Sequence, residues 1–76
     1  MKAYVLIKIH SGEVKSVVKE LRLMEGVVNV DMTFGPYDAV AIIESPDIST
    51  LGGLVASSIQ PISGVDQTLT CIAVDI

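Results

Sequence analysis

Val27-Val28-Asn29-Val30-Asp31-Met32-Thr33, Phe34-Gly35-Pro36-Tyr37-Asp38 and Ala39-Val40-Ala41-Ile42-Ile43-Glu44-Ser45 follow one another without interruption, and their reading decides the fold. In the first run Val28, Val30 and Met32 alternate with Asn29, Asp31 and Thr33, the two-residue period of a strand with one wet face, as at a sheet edge. The last run, entered through Asp38, is almost wholly apolar and rich in β-branched residues, as in a central strand buried on both faces. Between them stands turn chemistry. Gly reaches backbone angles closed to other residues, Pro fixes its own φ and lacks a donor, and Asp bonds nearby backbone. The stretch is therefore two strands joined by a tight, chemically dressed turn.

Working outward, Ala3 to Ile9 forms a further strand, with Val5, Ile7 and Ile9 on one face and Tyr4, Leu6 and Lys8 on the other. Val14, Val17, Val18, Leu21 and Met24 then recur at helical spacing, with Ser11 as the expected N-cap, Glu13 in the first turn and Gly26 as the C-terminal cap. Beyond Ser45, Asp47 is the expected N-cap of a second helix whose buried stripe is Ile48, Leu51, Leu54, Val55 and Ile59, ended by Pro61. Gly52 and Gly53 weaken that helix, which points either to close packing against the sheet or to a soft element. A last strand runs from Val65 to Val74, with Thr68, Thr70, Ile72 and Val74 opposite to Leu69, Cys71 and Ala73.

The order βαββαβ specifies an α+β, ferredoxin-like fold: a four-stranded antiparallel sheet with two helices on one face. Gly26-Val27 and Gly64-Val65 lie 38 residues apart, half of the 76-residue chain, which suggests two β-α-β halves jointed at Gly35. No helix covers the other sheet face. That face carries either Tyr4, Leu6, Val40 and Ile42 or the opposite set, and pairing with a second sheet is the expected cover.

Composition agrees with self-association. Half of the residues are apolar (50%), mean hydropathy is +0.61 and only 18% are charged, whereas a chain this short buries only about 60% of its unfolded surface. Residues 1–76 are expected to form one small domain that assembles as a homo-oligomer, first as a dimer through the sheets. The longest apolar run, Ala39 to Ile43, is far shorter than the roughly 20 residues of a membrane span. A net charge of −4 with five basic residues speaks against direct nucleic-acid binding. Cys71 is alone and reads as a small core residue. Met1 to Ile9 is too short and strand-like for a signal peptide, so a cytoplasmic location is expected. His10, the only histidine, reads as a solvated loop residue; no metal-spaced cluster or phosphate loop occurs, so neither cofactor nor enzymatic activity is expected.

Ala3-Tyr4-Val5-Leu6-Ile7, Gly26-Val27, Gly35-Pro36-Tyr37-Asp38 and Gly64-Val65 with Thr68-Leu69-Thr70 together resemble the effector-binding (RAM) domain of the Lrp/AsnC family, from Ala3 to Val74. The resemblance implies a ferredoxin-like fold, dimers that assemble further, and a free amino acid bound between dimers near the Gly-x-Tyr-Asp turn. Regulators of this family usually carry a helix-turn-helix segment, and the first residues here already read as strand, so a stand-alone form is expected that either senses the amino acid by itself or co-assembles with full-length relatives. The implied ligand residues are Gly35, Tyr37, Asp38, Gln67, Thr68 and Thr70. Amides of Gly35 and Tyr37 suit a carboxylate, Asp38 suits an α-ammonium, and the threonine hydroxyls share one face. Structural roles compete: Asp38 satisfying the turn's own backbone, Tyr37 packing at a subunit contact, and Thr68 and Thr70 as strand formers. Phe34 and Pro36 depart from the family pattern and are expected to narrow the pocket or change its preference. The competing functions are a structural oligomerisation domain without ligand and a small enzyme of the dimeric α+β barrel type.

Overall fold

The computed structural model describes residues 1–74. The strands are β1 (Lys2–Ile9), β2 (Val27–Met32), β3 (Ala39–Glu44) and β4 (Val65–Ile72). The helices are α1 (Val14–Arg22) and α2 (Ile48–Leu54), the latter running on into a π-helical turn, Val55–Ile59. All strand pairs are antiparallel in the order β2-β3-β1-β4, so β3 and β1 are central and β2 and β4 are edges. The ferredoxin-like expectation, with β3 inside and β2 at an edge, is met.

The register settles which face the helices cover. Ala3, Val5 and Ile7 of β1 stand opposite Ile43, Ala41 and Ala39 of β3, and all six are fully buried. Against them pack Val17, Val18 and Leu21 of α1 with Leu51, Val55 and Ile59 from the second helical segment. Burying each such branched side chain contributes about 1.5–3 kcal/mol. The uncovered face carries the other set, in two rows read across the strands: Asn29, Ile42, Tyr4, Cys71 and Asp31, Val40, Leu6, Leu69. Cys71 is therefore exposed and not a core residue, because on β4 it alternates with the threonines onto the side without helices.

Three helix details differ from expectation. Position 13, not Ser11, is the N-cap of α1, and its side chain makes no capping bond; Gly12, at φ 88°, completes the turn that leads in. The helix ends at Arg22, and Gly26, at φ 93°, instead belongs to the turn that opens β2. Ile48 is not part of the buried stripe but is 59% exposed in the first turn of α2. At the β2 edge, Arg22 Nη2 donates to the carbonyl of Val30 at 3.0 Å, and Val28 is the extra residue of a bulge. Both devices discourage strand addition there.

Asp47 does cap α2, its carboxylate accepting from the Thr50 N–H at 2.7 Å. That backbone bond, with help from the Thr50 side chain and the Ser49 N–H, holds the Asp47 carboxyl below its ordinary value of 3.8. A carboxyl depressed on folding stabilises above its unfolded pKa, and that contribution is lost as pH falls through the folded pKa. Asp47→Asn is thus expected to flatten the fall in urea midpoint as the pH is taken below about 4.

Gly52 and Gly53 do not pack closely, since a Cβ at either would meet nothing within 4 Å. Each glycine in a helix interior costs about 0.5–1 kcal/mol relative to alanine. Gly52→Ala and Gly53→Ala should each raise stability by about that amount, read as a higher urea midpoint at constant slope.

Candidate functional site

The turn between β2 and β3 is fastened at both feet. Thr33 N–H donates to the Asp38 carbonyl at 3.0 Å, and the Thr33 hydroxyl donates to the Tyr37 carbonyl at 2.7 Å. Asp38 N–H donates to the Ile7 carbonyl at 2.9 Å, extending the β1–β3 ladder by one bond. Lys8 Nζ reaches the Pro36 carbonyl at 3.3 Å. The loop is thus hung on β1 as well as on its own strands.

Asp38 carries the further tie. Strand β3 begins at Ala39, whereas β1 continues to Ile9, so the Ile9 N–H has no residue of β3 left to meet. The Asp38 carboxylate takes that place, with Oδ2 accepting from the Ile9 N–H at 2.7 Å. Its backbone role is therefore to cap β1 and not the turn itself. A carboxylate has about four lone-pair sites, so this one bond leaves acceptor capacity.

The N–H groups of Gly35 and Tyr37 donate to no backbone carbonyl among the described residues. Gly35 is exposed, and Tyr37, like Asp38, is half-buried. Beneath the turn lies a cavity of about 360 Å³ lined by Val14, Met32, Thr33, Phe34 and Asp38. Of these walls, Val14 read as helix core and Met32 as an ordinary strand residue. Only their convergence in three dimensions makes them neighbours of Asp38.

The β4 candidates stand apart from the turn. Gln67 pairs with Lys8, Thr68 with Ile7 and Thr70 with Val5, so β1 separates them all from β3. Gln67 and Thr68 line a different cavity of about 380 Å³, with Gln60, Val65 and Asp66. The Thr68 hydroxyl already accepts from Gln60 Nε2 at 3.0 Å, while Thr70 is exposed. Thr68 and Thr70 do share one face, but within one chain they do not meet the Gly35, Tyr37, Asp38 group. His10 is exposed, and its backbone closes the β1 end by donating to the Gly64 carbonyl at 2.7 Å. Among the described residues no helix is long and apolar enough to cross a membrane.

Chemically, the turn offers one carboxylate, two free amides and an apolar wall, which suit holding a small zwitterion by charge-assisted hydrogen bonds. Comparison with known proteins bears on this arrangement. The family model of the Lrp/AsnC ligand binding domain matches residues 2–76. No curated protein matches the chain. Among solved structures, TTHA0845 from Thermus thermophilus is 29% identical with a TM-score of 0.93, covering 99% of this chain and 94% of that one. E. coli AsnC is 21% identical with a TM-score of 0.92, covering 99% of this chain and 51% of that one. The Neisseria meningitidis regulator NMB0573, solved as its L-Met complex, is 13% identical with a TM-score of 0.88, covering 97% and 49%. The last two share the fold, and this chain spans about half the length of each. By its match over residues 2–76, the chain belongs to the Lrp/AsnC family, whose ligand binding domain it represents.

Proposed function

We propose that this domain is a regulatory module that binds a free amino acid at the turn Phe34–Asp38. The observation that carries the reading is the family match over residues 2–76, joined to a turn that holds a half-buried carboxylate beside two unused amides. Asp38 pairs with the α-ammonium, and the Gly35 and Tyr37 N–H groups receive the α-carboxylate. Gln67, Thr68 and Thr70 enter only when a neighbouring copy brings its β4 to the turn.

The uncovered sheet face supports that assembly. Leu6, Val40 and Ile42 are half-buried at its centre, with Tyr4 37% and Leu69 47% exposed, and Asn29, Asp31, Lys8 and Glu44 lie around them. An apolar centre with a polar rim is the anatomy of a protein interface. Two such faces pack as a homodimer, which can exchange subunits with full-length Lrp/AsnC regulators and so pass on the ligand state. The neighbour solved with L-Met is consistent with an amino-acid ligand for a domain of this fold.

A thermal-shift screen against the twenty amino acids tests the reading. A ligand at about 100 times its Kd adds about 2.7 kcal/mol, equivalent to a rise of about 10–20 °C in a domain of this size. Absence of a shift with every amino acid at millimolar concentration sinks it. That outcome would favour the structural oligomerisation reading, on which Asp38 serves only the Ile9 N–H.

A further inference from the structure

Val14, Met32 and Phe34 supply most of the wall of the cavity that Asp38 lines, and Asp38 is its one charged residue. The remaining wall residue, Thr33, already spends its hydroxyl proton on the Tyr37 carbonyl at 2.7 Å. The side-chain oxygens in this cavity, those of Asp38 and Thr33, are therefore left as acceptors. Lys15, Lys19 and Arg22 line a neighbouring groove, which shares only Met32 with this cavity. Phe34 is fully exposed and Met32 is 52% exposed, so both present apolar surface that a ligand would cover.

We propose that this cavity is the side-chain subsite of the amino-acid site, and that Val14, Met32 and Phe34 make it select apolar side chains of branched, thioether or aromatic type. The inference rests on the amino-acid reading above and adds the class of ligand. Three exclusions follow from the walls. An acidic ligand side chain meets the Asp38 carboxylate and is repelled. A side-chain amide brings a carbonyl that finds no side-chain donor in the cavity, and an unpaired buried polar group is costly. A cationic side chain competes with its own α-ammonium for one carboxylate. An apolar side chain loses nothing and covers the exposed ring of Phe34. The volume, about 360 Å³, is at the small end of the range of ligand pockets.

Isothermal titration of the whole chain with shape-matched ligands separates size from polarity: L-Leu against L-Asn and L-Asp, and L-Met against L-Gln and L-Glu, with L-Phe and L-Lys added. The apolar member of each set should bind at least about tenfold tighter than its polar partners. Phe34→Ala, which removes a side chain that supports no core, should weaken the apolar ligands several-fold more than the polar ones. Equal or tighter binding of Asn, Gln, Glu or Lys overturns the selectivity while the amino-acid reading stands. An unchanged Leu-to-Asn ratio in both Phe34→Ala and Met32→Gln removes the cavity from the site. If no amino acid binds at all, the amino-acid reading and this inference fall together.

Discussion

Gly64→Ala is expected to be among the most damaging single-atom additions to this chain, costing about 2–5 kcal/mol of stability. Two effects add. The backbone there has φ 102°, where an L side chain clashes with its own carbonyl, at a cost of about 1–2 kcal/mol. A Cβ would also come within 3.0 Å of Glu13 Cβ and 3.1 Å of Val17 Cγ2. Val17 is fully buried in the core, so it has nowhere to retreat, and overpacking of this kind costs about 1–3 kcal/mol. The low end of the sum lowers Tm by about 8–16 °C.

Two other glycines separate the contributions. Gly12 has φ 88° with nothing within 4 Å of its Cβ, so Gly12→Ala isolates the backbone cost. Gly26 has φ 93° and its closest neighbour, at 3.2 Å, is Leu54 Cδ2, the movable end of a side chain. Calorimetry should therefore rank the losses Gly12→Ala, Gly26→Ala, Gly64→Ala in rising order. A Gly64→Ala protein that melts with or above Gly12→Ala would show that the contact with α1 carries no energy.

Gly26 and Gly64 also explain why so much of the fold was legible in the sequence. Each precedes the valine that opens an edge strand, β2 or β4, and each has a positive φ. The 38-residue spacing in the sequence marks two turns of the same kind. The edge place of β2 followed from its two-residue alternation, which the pleat imposes where one face is wet, and the central place of β3 from a run that is apolar on both faces. Helix ends were less legible. Ser11 had the right chemistry for a cap, but Gly12 turns the chain at φ 88° before the helix begins, so the cap falls at Glu13. The π turn after Leu54 left no signal in the spacing of Leu51, Val55 and Ile59, all of which are buried.

The candidate site was legible only as residue types. Gly35, Tyr37 and Asp38 could be picked out because turn chemistry is local: they lie within four residues of one turn, whose carboxylate bonds the Ile9 N–H. Val14 and Met32 were hidden, since what brings them under the turn is the packing of α1 against β2, which no local pattern records. Ile9 was hidden for a related reason: its N–H falls to the Asp38 carboxylate because β1 runs past the start of β3. Gln67, Thr68 and Thr70 carried the right hydroxyl and amide groups, but the strand order puts β1 between them and the turn. Cys71 was misplaced because its apolar neighbours in sequence lie on β4, an edge strand that the helices leave largely open.

Asp38→Ala and Asp38→Asn are expected to part company, and the difference separates the two tasks of this side chain. Removing the carboxylate leaves the N–H of Ile9 without its acceptor at 2.7 Å, in a residue only 5% exposed. Orphaning a buried donor costs about 1–3 kcal/mol, so Asp38→Ala should lose about 4–8 °C of Tm for each kcal/mol. Asparagine keeps an acceptor oxygen in nearly the same place, and Asp38→Asn should retain most of that stability. It cannot, however, offer a negative charge to an α-ammonium. Charge-assisted hydrogen bonds are roughly twice as strong as neutral ones, so the Asn variant should bind its amino acid at least about tenfold more weakly and shift less at equal concentration. Wild-type ligand response in Asp38→Asn would leave the carboxylate a purely structural cap and move the ammonium site elsewhere. Wild-type Tm in Asp38→Ala would show that solvent replaces the Ile9 bond at no cost. Measured together, melting and titration of the two variants assign this one side chain to the sheet, to the ligand, or to both, since one bond to the Ile9 N–H leaves a carboxylate with acceptor sites to spare.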